Sequence, residues 1–186
     1  MGVFVLYKYC VRVWLFLVVI SVSNTAFATG YFGVGFGKAQ FDIKPLFGTN
    51  EVDDGTPFRL FGGVRGGNLG WETEISFADY DWSNKGGSAT HHAGNVVISG
   101  LGYLPLSKSF DLYGKIGINF WNTTVDYAGA TYEGESGADI AYGAGVNISA
   151  TEAFSIRLEY QALPGLSDGV DDGDISQYTL NALFNF

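Results

Sequence analysis

Ile175-Ser176-Gln177-Tyr178-Thr179-Leu180-Asn181-Ala182-Leu183-Phe184-Asn185-Phe186 ends the chain and decides its fold. Steps of two back from the end give Phe186, Phe184, Ala182, Leu180 and Tyr178, an apolar and aromatic set. The residues between them, Asn185, Leu183, Asn181, Thr179 and Gln177, are mostly polar. Successive side chains of a strand point to opposite faces. The stretch is therefore a strand with one dry face and one wet face.

The same period runs upstream. In Tyr31–Phe41, Phe32, Val34 and Phe36 share a face and Gly33, Gly35 and Gly37 line the other. Pro57–Gly66 sets Phe58, Leu60, Gly62 and Val64 against Arg59, Phe61, Gly63 and Arg65. Leu69, Trp71, Thr73, Ile75 and Phe77 alternate with Glu72, Glu74 and Ser76. Phe110, Leu112, Gly114, Ile116, Ile118 and Phe120 alternate with Asp111, Tyr113, Lys115, Gly117 and Asn119. Ile140–Ile148 and Phe154–Tyr160 repeat the pattern, the latter with Ser155, Arg157 and Glu159 on its polar side. In Gly94–Leu104 both sets are apolar, and the period assigns neither face.

Eight strands result. Long polar connections are expected at 42–56, 81–92, 121–137 and 162–174, and short turns at 66–68, 105–109 and 149–153. An even strand number with long and short connections alternating fits a bacterial outer-membrane barrel, whose turns are periplasmic and whose loops are external. Closing the sheet also removes its edges, which a bilayer does not tolerate. The expected fold is all-β: an eight-stranded antiparallel up-and-down transmembrane β-barrel with four long external loops and three short periplasmic turns.

A soluble barrel would alternate too, so composition has to choose. The chain is 47% apolar but only 16% charged, against about 25% charged in ordinary soluble domains. It carries 27 Gly, 15 Phe, 11 Tyr and 4 Trp. The charged face holds few ions among many Gly, Ser, Asn and Tyr, which suits a narrow interior. Aromatics are expected at the strand ends of the apolar face, as in the girdles of membrane proteins: Tyr31, Phe58, Trp71, Phe77, Phe110, Phe120, Phe154, Tyr160, Tyr178 and Phe186. The net charge of −9 excludes a nucleic-acid surface, which has to be basic.

Residues 1–28 read as a signal peptide, leaving 29–186 as the barrel domain. Lys8 and Arg12 precede an apolar core, Val13–Val22, and Ala26-Phe27-Ala28 forms a small-x-small cleavage site. Cleavage would remove two positive charges and no negative ones, taking the charge from −9 to −9 − 2 = −11. The single cysteine, Cys10, would leave with the leader, so neither a disulfide nor a cysteine–zinc site is expected.

Several segments together resemble the eight-stranded, outer-membrane-protein-A-like β-barrel family. They are Gly30-Tyr31-Phe32-Gly33-Val34-Gly35, Arg59-Leu60-Phe61-Gly62-Gly63, Leu101-Gly102-Tyr103-Leu104-Pro105-Leu106, Leu112-Tyr113-Gly114-Lys115-Ile116-Gly117 and the terminal Phe186. The similarity spans the expected mature chain. It implies an integral outer-membrane protein with loops exposed outside the cell. Many members add a peptidoglycan-binding domain, for which this sequence has no residues. The resemblance also implies that the barrel-assembly machinery reads the last strand, with Tyr178 and Phe186 as its signal.

The candidate site is the set of ions on the wet face: Arg59, Arg65, Glu72, Glu74, Lys115, Arg157 and Glu159. Eight strands enclose a lumen just wide enough for side chains. The ions are therefore expected to pair and plug it, with Arg65 nearly opposite Glu72 across a tight turn. The competing reading is a narrow ion path. Asp168-Gly169-Val170-Asp171-Asp172-Gly173-Asp174 offers oxygen ligands for a divalent cation but lacks the EF-hand pattern. His91-His92 follows Ser88 and Thr90, yet adjacent residues of an extended chain face opposite sides, and no nucleophile motif is present. No catalytic residue, metal site or cofactor is expected. The expected role is structural and adhesive, through lipid and lipopolysaccharide, the assembly machinery and a host or cell-surface ligand. A small porin-like channel is the alternative, and a lipid-modifying enzyme the second.

Overall fold

The computed structural model describes residues 28–44, 52–84, 87–127, 130–167 and 172–186. The expected leader lies outside them, apart from Ala28. The strands, in chain order, are β1 (Thr29–Lys44), β2 (Val52–Gly55), β3 (Phe58–Gly66), β4 (Leu69–Asn84), β5 (Gly87–Pro105), β6 (Phe110–Tyr127), β7 (Ala130–Ser149), β8 (Phe154–Ser167) and β9 (Asp172–Asn185). Each long strand pairs antiparallel with the next. β9 then returns to β1 through Tyr31↔Asn185 to Lys44↔Asp172 and closes the barrel.

The short β2 is not an additional stave. Ala39↔Gly55 and Phe36↔Phe58 share one register against β1, and Gly55↔Tyr80 continues the β3–β4 register. β2 and β3 are one strand interrupted at Thr56-Pro57, where proline lacks the N–H a ladder needs. The wall thus has eight strands.

Strands run further than alternation suggested. Asp79–Asn84 pairs with Gly87–His92, and Thr124–Tyr127 with Ala130–Glu133. Much of each stretch expected to be loop is therefore hairpin. Polar residues interrupt the apolar period in these extensions, and their backbones nevertheless pair as in the rest of each ladder.

The dry face points outward. Phe32, Ile116, Leu158 and Leu180 are 54%, 66%, 52% and 51% exposed, whereas Arg59, Glu74 and Arg157 are each 1% exposed. A surface this apolar around a charged interior reverses the plan of a water-soluble protein and requires hydrocarbon around it. Strand β5 now has its faces: Ala93, Asn95, Val97, Ser99, Leu101 and Tyr103 are buried, while Val96, Ile98 and Leu104 alternate with them.

Aromatics ring the exterior at two levels. Phe36, Phe58 and Phe77 stand side by side in register near the end of the barrel opposite the three turns, with Tyr160 and Tyr178 paired further round. Phe32, Phe184 and Phe186 cluster at the turn end, with ring centroids 5.5 and 6.4 Å from Phe32.

Candidate functional site

Four strands deliver six ions to the centre of the lumen. β3 supplies Arg59, β4 Glu72 and Glu74, β6 Lys115, and β8 Arg157 and Glu159. Each lies on the inward phase of its strand. Three cations face three carboxylates, so the formal charges cancel.

The contacts cross the barrel. Arg59 Nη2 bonds Glu74 Oε2 and reaches Glu159 Oε1 at 2.7 Å. Lys115 Nζ lies 2.6 Å from Glu159 Oε1, 3.0 Å from Glu74 Oε2 and 3.6 Å from Glu72 Oε1. Arg157 Nη1 donates to Glu72 Oε2 at 2.5 Å and stands 3.9 Å from Glu159 Oε2. Neutral partners complete the set. The Tyr31 hydroxyl donates to Glu72 at 2.9 Å, the Tyr113 hydroxyl to Glu159, and Arg59 Nη1 to Thr179 Oγ1 at 2.8 Å. The Arg157 guanidinium also lies over the rings of Tyr113, Phe61 and Tyr31 at 4.8, 5.2 and 5.3 Å. Buried ions persist only when paired and hydrogen-bonded, and this arrangement supplies both.

Arg65 stands apart. It was expected opposite Glu72, but the connection is a two-residue turn at Gly67-Asn68, with Gly67 at φ 62° and Gly66 paired with Leu69. That register places Arg65 opposite Gly70, and Glu72 opposite Gly63. Arg65 instead grips Asp111 at the mouth, with Nη1–Oδ2 at 2.7 Å and Nη2–Oδ1 at 3.2 Å, and lies 4.1 Å over Tyr103.

Asp111, Tyr31, Tyr113, Phe61 and Thr179 were not among the candidates. Asp111, Tyr113, Phe61 and Thr179 occupy inward phases that alternation identifies; Tyr31, expected among the outward aromatics at the strand ends, instead points inward and is 5% exposed, in phase with Gly33 and Gly35. Tyr178 and Phe186 face outward and are exposed. On β9, Asp174 Oδ1 accepts from the Gly165 N–H at 3.4 Å. Asp168–Asp171 lie outside the described residues. Among the described residues no group of three or more His, Cys, Asp or Glu could hold a metal. His92 is on the outer wall, its Nδ1 2.6 Å from Asp79 Oδ1.

Chemically, the centre is a neutral plug of interlocked ions. It is bounded towards the turns by Tyr31, Phe61 and Leu183. Towards the opposite end lies an apolar layer that includes Ala39, Ala78, Ala93, Val97 and Leu163.

The comparisons with known proteins agree with this geometry. No curated protein matches the chain in sequence. Among solved structures, Neisserial surface protein A aligns with a TM-score of 0.69 at 13% identity, covering 83% of this chain and 97% of that one. Ail, the attachment invasion locus protein of Yersinia pestis, aligns at 0.58 and 17% identity, covering 84% and 99%. The outer membrane protein OprG of Pseudomonas aeruginosa aligns at 0.55 and 18%, covering 86% and 97%. At these identities the likeness is one of fold. The family model described as outer membrane protein beta-barrel domain matches residues 13–186. With its hydrocarbon-facing wall and its ions sealed inside, the chain belongs to the outer membrane protein beta-barrel domain family and is an integral outer-membrane protein.

Proposed function

We propose that this barrel is a structural and contact protein of the outer membrane rather than a pore or an enzyme. One observation carries the reading: the lumen is closed at its centre by six ions whose charges cancel and whose side chains are almost wholly buried. A conducting path would have to separate several of these pairs at once, and each separation leaves an uncompensated buried charge. Contacts with the surroundings then fall to the hairpins that extend β4–β5 and β6–β7, which we place outside the cell. Polar loops on a rigid scaffold are the usual carriers of such contacts.

The partners follow from the two ends of the molecule. The outward ring of aromatics meets outer-membrane lipid and lipopolysaccharide. The exposed Tyr178 of β9 and Phe186, the residue after it, present the signal for the barrel-assembly machinery, and residues 1–28 act as the export leader. A host or cell-surface ligand would meet the hairpins. Ail has been solved with the heparin analogue sucrose octasulfate. The net charge of −9 here disfavours so anionic a ligand and favours a neutral or basic one. Catalysis has little support. His92 and Asp79 meet on the outer wall, while Ser76, Ser99 and Ser155 are buried on the lumen side.

Planar-bilayer recording of the folded protein tests the reading. Silence is the expected result, and steady, reproducible conductance steps would replace it with the channel. Gentle crosslinking of intact cells, followed by purification, identifies the surface components held by the hairpins.

A further inference from the structure

The outer wall and the lumen each hold a pair of neighbouring tyrosines, and the two pairs differ in access. Tyr160 of β8 and Tyr178 of β9 lie directly opposite each other in their ladder, with ring centroids 5.0 Å apart and planes tilted by 47°. Tyr103 of β5 and Tyr113 of β6 are likewise opposite, at 5.8 Å. The first pair faces outward: Tyr178 is 58% exposed and Tyr160 is half-buried. The second is sealed in the lumen, and both of its members are buried.

Neighbouring aromatic rings pack with centroids about 4.5–7 Å apart, so Tyr160 and Tyr178 are at the close end of that range. The ladder fixes their backbones side by side. The Tyr160 hydroxyl lies 3.2 Å from Ser176 Oγ, which ties the far edge of its ring to the strand that carries Tyr178. Only side-chain rotation separates the two rings from bonding distance. Tyrosines of an aromatic belt stand where water meets hydrocarbon. Radicals formed in either medium therefore meet this pair, whereas the wall shields the pair inside.

We propose that Tyr160 and Tyr178 form an oxidative crosslinking site, at which peroxyl radicals join the two rings as dityrosine and staple β8 to β9. Each phenol O–H gives its hydrogen atom to one peroxyl radical, which becomes a hydroperoxide. The two phenoxyl radicals couple through the ring carbons next to the oxygens, forming one carbon–carbon bond. The hydrogens on those two carbons move to the phenolic oxygens and restore both aromatic rings. The product is two hydrogen atoms lighter than the parent pair, and two peroxyl radicals have been reduced. A covalent tie between positions 160 and 178 restricts the unfolded chain as a disulfide does. The oxidised barrel is therefore the harder one to unfold.

The test uses the full barrel folded in nanodiscs of saturated phosphatidylcholine, one barrel per disc, and a water-soluble azo initiator that yields peroxyl radicals in air. Dityrosine fluorescence should appear. Asp168, Asp171, Asp172 and Asp174 lie between the two tyrosines in sequence, so cleavage at aspartate separates their peptides. Mass spectrometry should find those peptides joined and two hydrogens lighter than their sum. Tyr178→Phe should abolish the joined species. Tyr142→Phe, at another outward tyrosine, 49% exposed, should leave it unchanged. Treatment should raise the urea midpoint of the unmodified barrel above that of equally treated Tyr178→Phe. Circular dichroism verifies folding, and the crosslink mapped in the unmodified protein stands alone if Tyr178→Phe does not fold. Unjoined peptides after the initiator is spent would overturn the proposal. So would a crosslink that maps to Tyr103 and Tyr113 or to Tyr142, or one that survives Tyr178→Phe. A joined peptide with no rise in the urea midpoint would overturn the staple.

Discussion

Arg65 and Asp111, from β3 and β6, form a two-pronged ion pair at the turn end of the barrel, with Tyr103 beneath the guanidinium. The side chains keep 26% and 11% of their exposure, so water screens the pair. A double-mutant cycle with Arg65→Ala and Asp111→Ala should return a coupling of about 1 kcal/mol, falling in high salt. Urea titration of the protein in lipid vesicles measures it.

The central cluster should behave differently. Glu159 contacts Arg59, Lys115, Arg157 and Tyr113. Glu159→Gln leaves excess positive charge in the lumen and should cost about 3–5 kcal/mol. Adding Lys115→Met restores neutrality, so the double variant should be more stable than Glu159→Gln alone. A double variant at least as unstable as the sum of its parts would show that the ions do not act as one unit.

Glycines on the two faces should diverge. A Cβ on Gly37 would overlap the Tyr178 carbonyl oxygen where β1 meets β9, whereas one on Gly102 would meet nothing within 4 Å. Gly37→Ala should destabilise by about 1–3 kcal/mol, the usual cost of overpacking. Gly102→Ala should be close to neutral in the same titration.

Depth in the bilayer should grade the cost of a charge on the outer wall. Ile116→Arg, midway along the apolar face of β6, should cost about 2–4 kcal/mol. Leu69→Arg sits beside the Gly67-Asn68 turn and should cost roughly 0–1 kcal/mol by the same depth rule. Equal costs at both sites would contradict the assigned placement in the membrane.

Phe186 faces lipid, while its backbone exchanges hydrogen bonds with Gly30 at 3.0 and 2.9 Å. Phe186→Ala keeps that backbone pairing, so stability should change little. If the residue is an assembly signal, insertion into proteoliposomes carrying the assembly machinery should slow, while spontaneous insertion into plain vesicles should not. A similar slowing in both would reduce its role to packing.

Much of this architecture was legible because one rule, alternation, governs both faces of each strand. It identified the inward phase of Arg59, Glu74, Lys115 and Arg157 without any knowledge of their partners. It failed at β5, where Val97 and Leu101 face in and Val96 and Ile98 face out: a lumen this narrow accepts apolar side chains too. It could not pair Arg157 with Glu72, 85 positions apart, because contacts across a lumen join strands that share no ladder. It missed the slip of the β8–β9 register between Leu163 and Leu166, although Pro164-Gly165 inside a strand was a usable sign. The Arg65 partner depended on the turn's residue count, and a shift of two positions moved it from Glu72 to Gly70.

The distribution of the six central ions over the strands bears on how the barrel is built. The β3–β4 hairpin brings one cation and two carboxylates, β6 one cation, and β8 one of each sign. A sheet assembled only as far as β4 would carry a surplus negative charge that β6 alone can cancel, and it would still lack the donors of β8. The charge is thus balanced once β6 is in place, but Glu72 still lacks Arg157, and Arg59 and Lys115 still lack Glu159, until β8 arrives. The interior contacts therefore favour the full set of staves over a ribbon halted before β8.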